Sequence, residues 1–348
     1  MNNQFPILCL SSIPLECVAS QLMFKDIFQF STISKDCFDA MKDALRSTPK
    51  SRRMYIHLLE NKLQLTLYAD KFHNGGVSET VEWNFNGTCN RRRPWNVELY
   101  SGPQPKTLVF REESSGHYVT ASNSVEELLQ FAEHIANLFR AFTYQIVISS
   151  EYCRFLPAIQ RVPVLHQTRE LRVGEGIVSH DTMLRLLTGF QTRLLCIKCD
   201  AEPNFQFNGP ISTEELALTK CSWFTAPLFH AYNGDRLFLS GCFLTATDVN
   251  TFLRNWKASH SRSWPKLQLT RASNRDPELQ RRWDEERWYF AKITEGLEDI
   301  RHGPVYPFSD SYRTYKRQTD GMILDLLIHC FLPTHSGWMS MTFGYSSK

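Results

Sequence analysis

Apolar residues in the first forty-odd positions recur at helical spacing. Pro14 suits a first helical turn, where its missing N–H is no loss. Leu15, Val18, Ala19 and Leu22 then fall at i, i+3, i+4 and i+7, one helical face. A break near Phe24, Lys25 and Asp26 separates them from Phe30, Ser34, Phe38, Met41 and Leu45, again a helical stripe. The pattern predicts three short helices. A unit of this size buries its own apolar surface poorly. Leu8, Leu10, Ile13 and Phe28 lie off both stripes and need a partner, either the rest of the chain or another protein.

Residues 46–53 (RSTPKSRR) are polar, basic and broken by Pro49, and read as a linker with solvated charges. Strand patterns follow at 55–59 and 63–68, joined through Glu60, Asn61 and Lys62 as a hairpin. Residues 81–85 alternate as a half-buried strand does. Residues 90–105 read as loop and 106–110 as strand, with a turn at Ser115 and Gly116 before a strand at 117–120. Ser124 and Glu127 make a capping box. Val125, Leu128, Leu129, Ala132, Ile135, Ala136 and Phe139 form the amphipathic face of the helix it opens. That helix leads to a continuous apolar strand at 144–149, of the kind buried on both faces.

From there a repeat emerges. Two aliphatic residues flanking one other recur as Ile146/Ile148, Leu171/Val173, Leu195/Ile197, Leu216/Leu218, Leu237/Leu239 and Leu267/Leu269. Their first members are 25, 24, 21, 21 and 30 residues apart. Helix patterns fill several intervals, notably 180–187 and 248–256. Strand and helix alternating at this period predict a leucine-rich-repeat-like α/β body with parallel strands. An ordinary α/β layer sandwich is the alternative. Further on, Asp276 and Pro277 open a charged helix pattern, and Asp320-Gly321 bridges strands at 312–319 and 322–330 as a C-terminal β-hairpin.

Composition narrows the functional classes. Lys+Arg 39 against Asp+Glu 36 leaves a formal charge of +3, without the concentrated basic excess of a dedicated nucleic-acid binder. No apolar run is long enough for a membrane span, and the N-terminus lacks the basic region of a signal peptide. The 10 cysteines have no framework spacing and read as reduced core thiols of a cytoplasmic or nuclear protein.

The N-terminal stretch resembles an F-box through Leu10, Ile13, Leu15, Val18, Leu22, Ile27, Phe28, Phe30 and the Ser34-Lys35 step. Ser11 stands where that family usually has proline, and Phe38 about where many members have tryptophan. Residues 244–272 resemble the core of the type-2 F-box-associated domain, through Leu244, Thr245, Asp248, Asn250, Phe252, Trp256, Leu267 and Leu269. Residues 314–328 resemble its terminal hairpin through Arg317, Asp320 and Gly321. The resemblance implies a small all-helical F-box at 1–45, a linker at 46–53 and an F-box-associated domain at 54–348. Within that domain it implies a repeat-like core at about 144–271 and a closing hairpin at about 312–330. It further implies a non-catalytic, substrate-recognition subunit of a Skp1-cullin-F-box type ubiquitin ligase. Leu10, Ile13, Val18, Leu22, Ile27 and Phe28 would be exposed to bind a Skp1-like adaptor, and through it a cullin. The body would bind a target protein. No cofactor, nucleic acid or membrane is implied. The alternative is an interaction scaffold outside any ligase.

The sequence holds no Gly-x-Ser-x-Gly, phosphate loop or His-Glu-x-x-His. Cys196 and Cys199 form the single Cys-x-x-Cys, without a second pair for zinc. Gly174 and Gly176 lack the remainder of a dinucleotide fingerprint. His73, His166, His180 and His230 are isolated and read as structural. Trp223, Phe224 and Phe229, between two repeat strands, are candidates for a recognition surface.

Overall fold

The computed structural model describes residues 12–46, 51–70, 79–85, 87, 95–99, 106–139, 143–166, 168–242, 244–258, 266–270, 295–296, 301–302, 310–316, 323–330 and 339–344. The fold is mixed α/β and divides into two compact units. One comprises residues 1–174 with 190–192, the other 175–189 with 193–348.

The first unit opens with α1 (Ser12–Gln21), α2 (Phe24–Ser31) and α3 (Lys35–Ala44). The Ser34 hydroxyl accepts the Cys37 N–H at 3.2 Å and caps α3, the physical role of the Ser34-Lys35 step. Strands β1 (Ser51–Leu59), β2 (Lys62–Asp70), β3 (Glu79–Phe85), β4 (Trp95–Leu99), β5 (Lys106–Ser114) and β6 (His117–Thr120) follow. Then come α4 (Val125–Phe139), β7 (Thr143–Ile148), a 3₁₀ turn at Ser150–Phe155, α5 (Leu156–Arg161), α6 (Pro163–His166) and β8 (Glu170–Val173). The strand order is β8-β7-β1-β2-β3-β6-β5-β4. The pairs β8–β7, β7–β1 and β3–β6 are parallel, and the others antiparallel. Leu59 pairs with Lys62, so the β1–β2 turn has Glu60 and Asn61 at its tip. Strand β4 lies in a stretch the sequence pattern reads as loop.

Helix α4 packs on β1 and β2 over the buried row Met54, Ile56, Leu58, Leu63, Leu65 and Leu67. Its capping differs from a full box. Ser124 Oγ accepts the Glu127 N–H at 3.3 Å, but the Glu127 carboxylate takes the Ser122 hydroxyl.

The N-terminal helices share this core, which corrects the expected exposure of Ile27 and Phe28. Both are fully buried. The Phe28 ring lies 5.1 Å from Trp83, 5.2 Å from Tyr118 and 6.1 Å from Phe131. Phe24 sits 4.9 Å from Phe139, and its N–H donates to the Glu79 carboxylate. Phe28 lies off the stripe because it faces the sheet and α4. Val18 and Leu22 are half-buried, the Ile13 side chain lies outside the described residues, and so does Leu10.

Arg52 corrects the linker reading. β1 begins at Ser51, and Arg52 is 1% exposed. Its guanidinium donates to the Phe139 carbonyl and lies 5.8 Å from the Phe24 ring. A charge is tolerated there because it is hydrogen-bonded and faces a π-system.

The second unit holds β9 (Ile177–Val178), α7 (His180–Thr188), β10 (Leu194–Ile197), β11 (Asp200–Ala201), β12 (Glu215–Thr219), α8 (Ala226–Ala231), β13 (Arg236–Ser240), α9 (Ala246–Ala258) and β14 (Lys266–Thr270). It ends with β15 (Arg301–His302), β16 (Asp310–Lys316), β17 (Ile323–Cys330) and β18 (Met339–Gly344). Strands β10, β12, β13 and β14 run parallel, and β18, β17, β16 and β15 continue antiparallel. The parallel array with helices between its strands matches the repeat pattern. The antiparallel continuation departs from a pure solenoid. Residues 317–322, with Asp320 and Gly321, and the helix pattern after Pro277 lie outside the described residues.

Two predictions follow from this packing. Phe28→Ala removes a fully buried ring and destabilises the chain by about 3–5 kcal/mol. Met23→Ala, at an exposed apolar position one residue before α2, shifts stability by no more than about 0.5 kcal/mol. Urea midpoints of the two variants check the contrast.

The second concerns His134 on α4, which lies 4.6 Å from Phe38 of α3. Burial lowers its pKa to about 3. Between the ordinary histidine value and that one, the unfolded chain binds a proton that the folded chain does not. Stability therefore falls as pH drops through this window, by up to about 1.4 kcal/mol per unit. Unfolding free energies measured stepwise from pH 7 downwards, with His134→Leu flattening the slope, are the check.

Candidate functional site

The L-x-L repeat resolves into two sides of a sheet, because successive strand residues point to opposite faces. In the second unit, Leu195, Leu216, Leu237 and Leu267 are register partners, as are Ile197, Leu218, Leu239 and Leu269. All are buried. So are Met183, Leu186 and Leu187 of α7, Leu228 and Phe229 of α8, and Val249, Phe252 and Leu253 of α9. Helices and leucines therefore form one apolar layer.

The residues between the leucines form the opposite, accessible side. Cys196, Ala217 and Phe238 are register neighbours on three strands and are all half-buried. Two positions earlier on the same side, Leu194, Glu215 and Arg236 align. Glu215 Oε2 meets Arg236 Nη1 at 3.3 Å, and its other oxygen lies 3.5 Å from Arg193 Nε. Arg193 also reaches Glu214 at 3.0 Å. The result is a row of half-buried residues bordered by ion pairs. The sequence pattern singles out Cys196 only as half of a Cys-x-x-Cys and passes over the others, although the L-x-L spacing itself marks them.

Local devices hold this surface. Tyr232, just past α8, places its hydroxyl 3.1 Å from the carbonyls of Thr213 and Glu214 and 3.0 Å from that of Arg236. It ties the chain entering β12 to the start of β13. At α9, Thr245 N–H donates to Asp248 Oδ2 at 2.8 Å, while the Asp248 N–H donates to Thr245 Oγ1 at 3.2 Å. This reciprocal cap gives the Thr245 and Asp248 of the resemblance a structural role.

The first unit has its own polar face, opposite α4. It carries Tyr55 and His57 on β1, Gln64, Thr66 and Tyr68 on β2, Glu82 on β3 and His117 on β6. Gln64 donates to Glu82 at 2.9 Å, and His117 Nδ1 lies 3.4 Å from the same carboxylate. The Tyr55 and Tyr68 rings meet edge to face at 4.9 Å. Burial, followed by the Lys62 charge, pushes the His57 pKa down, so the ring is neutral at pH 7. Burial and the Glu82 charge push the Tyr68 phenol up. Tyr55, His57, Tyr68, Glu82 and His117 keep partial exposure, whereas Gln64 and Thr66 are buried among them.

Among the described residues, no three His, Cys, Asp or Glu side chains are placed to hold a metal ion. Cys196 lies on the accessible face, and Cys199 is buried beyond the strand end, its thiol pushed up to about 12 by burial. Trp223, Phe224 and Phe229 are all below 10% exposed, so they are core and not recognition surface. Phe205 is 5.3 Å from Trp223, and Phe229 is 4.8 Å from Phe252. No helix among the described residues is long and apolar enough to cross a membrane.

Tyr232→Phe deletes the hydroxyl clasp and lowers stability by about 1–2 kcal/mol, read from the denaturant midpoint. Comparison with family models, curated proteins and solved structures gives no match for this chain.

Proposed function

We propose that this chain is a target-recognition subunit of a Skp1-cullin-F-box type ubiquitin ligase. The accessible row Cys196, Ala217 and Phe238, backed by a ladder of buried leucines, is the observation that carries the recognition role. A sheet presenting half-buried apolar residues beside ion pairs suits a protein partner. Membership of a ligase rests on the F-box and F-box-associated resemblances. The chain's contribution is positional. It holds a target's lysines near a ubiquitin-loaded enzyme and raises their effective concentration.

The burial of Ile27 and Phe28 reshapes the adaptor surface in this reading. Val18 and Leu22, half-buried, remain candidates together with Leu10 and Ile13. Met23 and Ile33, 46% and 58% exposed at the two ends of α2, join them. The same burial favours a second reading, an interaction scaffold whose N-terminal helices serve its own core.

Co-purification of the full-length chain with a Skp1-like adaptor separates the two. The ligase reading expects binding that Val18→Asp with Leu22→Asp weakens at least about ten-fold, since a charge is left unpaired in an apolar contact. Phe238→Glu is expected to keep the adaptor and lose the target in proximity labelling. A folded wild-type chain that binds no such adaptor overturns the ligase reading and leaves the scaffold.

A further inference from the structure

Two neighbouring repeats end in the same way. Thr219 of β12 and Ser240 of β13 are register partners. The next residue on each strand, Lys220 and Gly241, turns through a positive φ, 56° and 76°. The residue after each is a cysteine, Cys221 and Cys242. The two cysteines thus occupy equivalent positions two residues past the ends of adjacent parallel strands. Strands in a sheet lie about 4.8 Å apart, inside the ~4.4–6.8 Å Cα separation that a disulfide spans. The contacts agree with this placement. The Cys221 N–H donates to the Ser240 carbonyl at 3.4 Å, and its Sγ lies 3.4 Å from the same oxygen. The Cys221 sulfur thus reaches the end of β13, two residues before Cys242.

We propose that Cys221 and Cys242 are a peroxide-sensitive dithiol that closes into a disulfide joining the ends of β12 and β13. The pair is asymmetric in the way such chemistry requires. Cys221 is 1% exposed, and burial holds its thiol protonated. Cys242 is half-buried, and its interaction with the neighbouring Cys221 thiol lowers its pKa. A thiolate is the attacking species, so Cys242 is the nucleophile and Cys221 the resolving thiol. The Cys242 sulfur attacks one oxygen of hydrogen peroxide, the O–O bond breaks, and the leaving hydroxide takes a proton to become water. The Cys221 sulfur then attacks the Cys242 sulfenic sulfur. The S–O bond breaks, and the departing hydroxide leaves as a second water with the Cys221 proton. Two thiols lose two electrons, and one peroxide gains them.

The test is peptide mapping of the purified full-length chain after hydrogen peroxide, without reductant. The expected result is a linked pair of peptides containing Cys221 and Cys242, lighter by two hydrogens than the thiol forms and restored by dithiothreitol. Cys221→Ser is expected to leave Cys242 as a sulfenic acid that dimedone captures. Cys242→Ser is expected to leave Cys221 unlabelled. The proposal is overturned if both thiols persist in the wild-type map under peroxide that oxidises the exposed Cys17, or if either pairs with another cysteine. The wild-type map decides the matter even if a variant fails to fold.

Discussion

The first unit depends on one ring. Phe131, buried in the middle of α4, lies 5.4 Å from Trp83, 5.9 Å from Phe85 and 4.9 Å from Phe110. The same ring lies 6.1 Å from Phe28 of α2. One side chain thus joins a long helix, two strands and the N-terminal helices. Aromatic pairs at these distances add about 0.5–1.5 kcal/mol each beyond the area they bury. The larger consequence is cooperative. Lifting α2 away would expose Phe24, Ile27 and Phe28 together with Trp83 and Tyr118, all fully buried. The N-terminal helices are therefore part of the core and not an appendage on a flexible tether.

This constraint explains what the sequence makes legible. The strand ladder is visible because a two-residue period and a 21–30 residue spacing leave few alternatives for leucine pairs. The cap at Ser124 is visible because a hydroxyl before a helix satisfies an orphan N–H, while the same role of Ser34, Ser179 and Thr245 emerges only in the structure. Phe28 is misread for a different reason. An apolar residue off a helical stripe requires burial, but the pattern does not say whether its cover comes from this chain or another. Arg52 is misread because composition averages over residues. Seven of its neighbours read as solvated, while this one enters β1 and finds the Phe139 carbonyl. Strand β4 has a loop-like sequence and is fixed by antiparallel pairing with β5.

The candidate site is half legible. The leucines announce the sheet, and the residues between them are its accessible face by geometry alone. Which of those residues matter depends on their neighbours across the strands, a relation that needs the register. Ala217 is unremarkable in sequence. Between Cys196 and Phe238 it becomes the low point of an apolar row. Glu215 likewise gains its role from Arg193 and Arg236, twenty-odd residues away on either side.

The same register logic bears on how the proposed adaptor role coexists with an integrated N-terminus. A docking helix needs two apolar surfaces, one to hold it in place and one to offer. In α2 the first is complete, since Phe24, Ile27 and Phe28 are spent on the sheet and on α4. The surface to offer must then come from α1 and from the helix ends, where Val18, Leu22, Met23 and Ile33 keep solvent contact. A partner bound there would be held against the first unit's sheet, because Phe28 of α2 packs on Trp83 of β3. In the proposed role, such packing between the docking helices and the first unit's sheet is the property that converts binding into orientation.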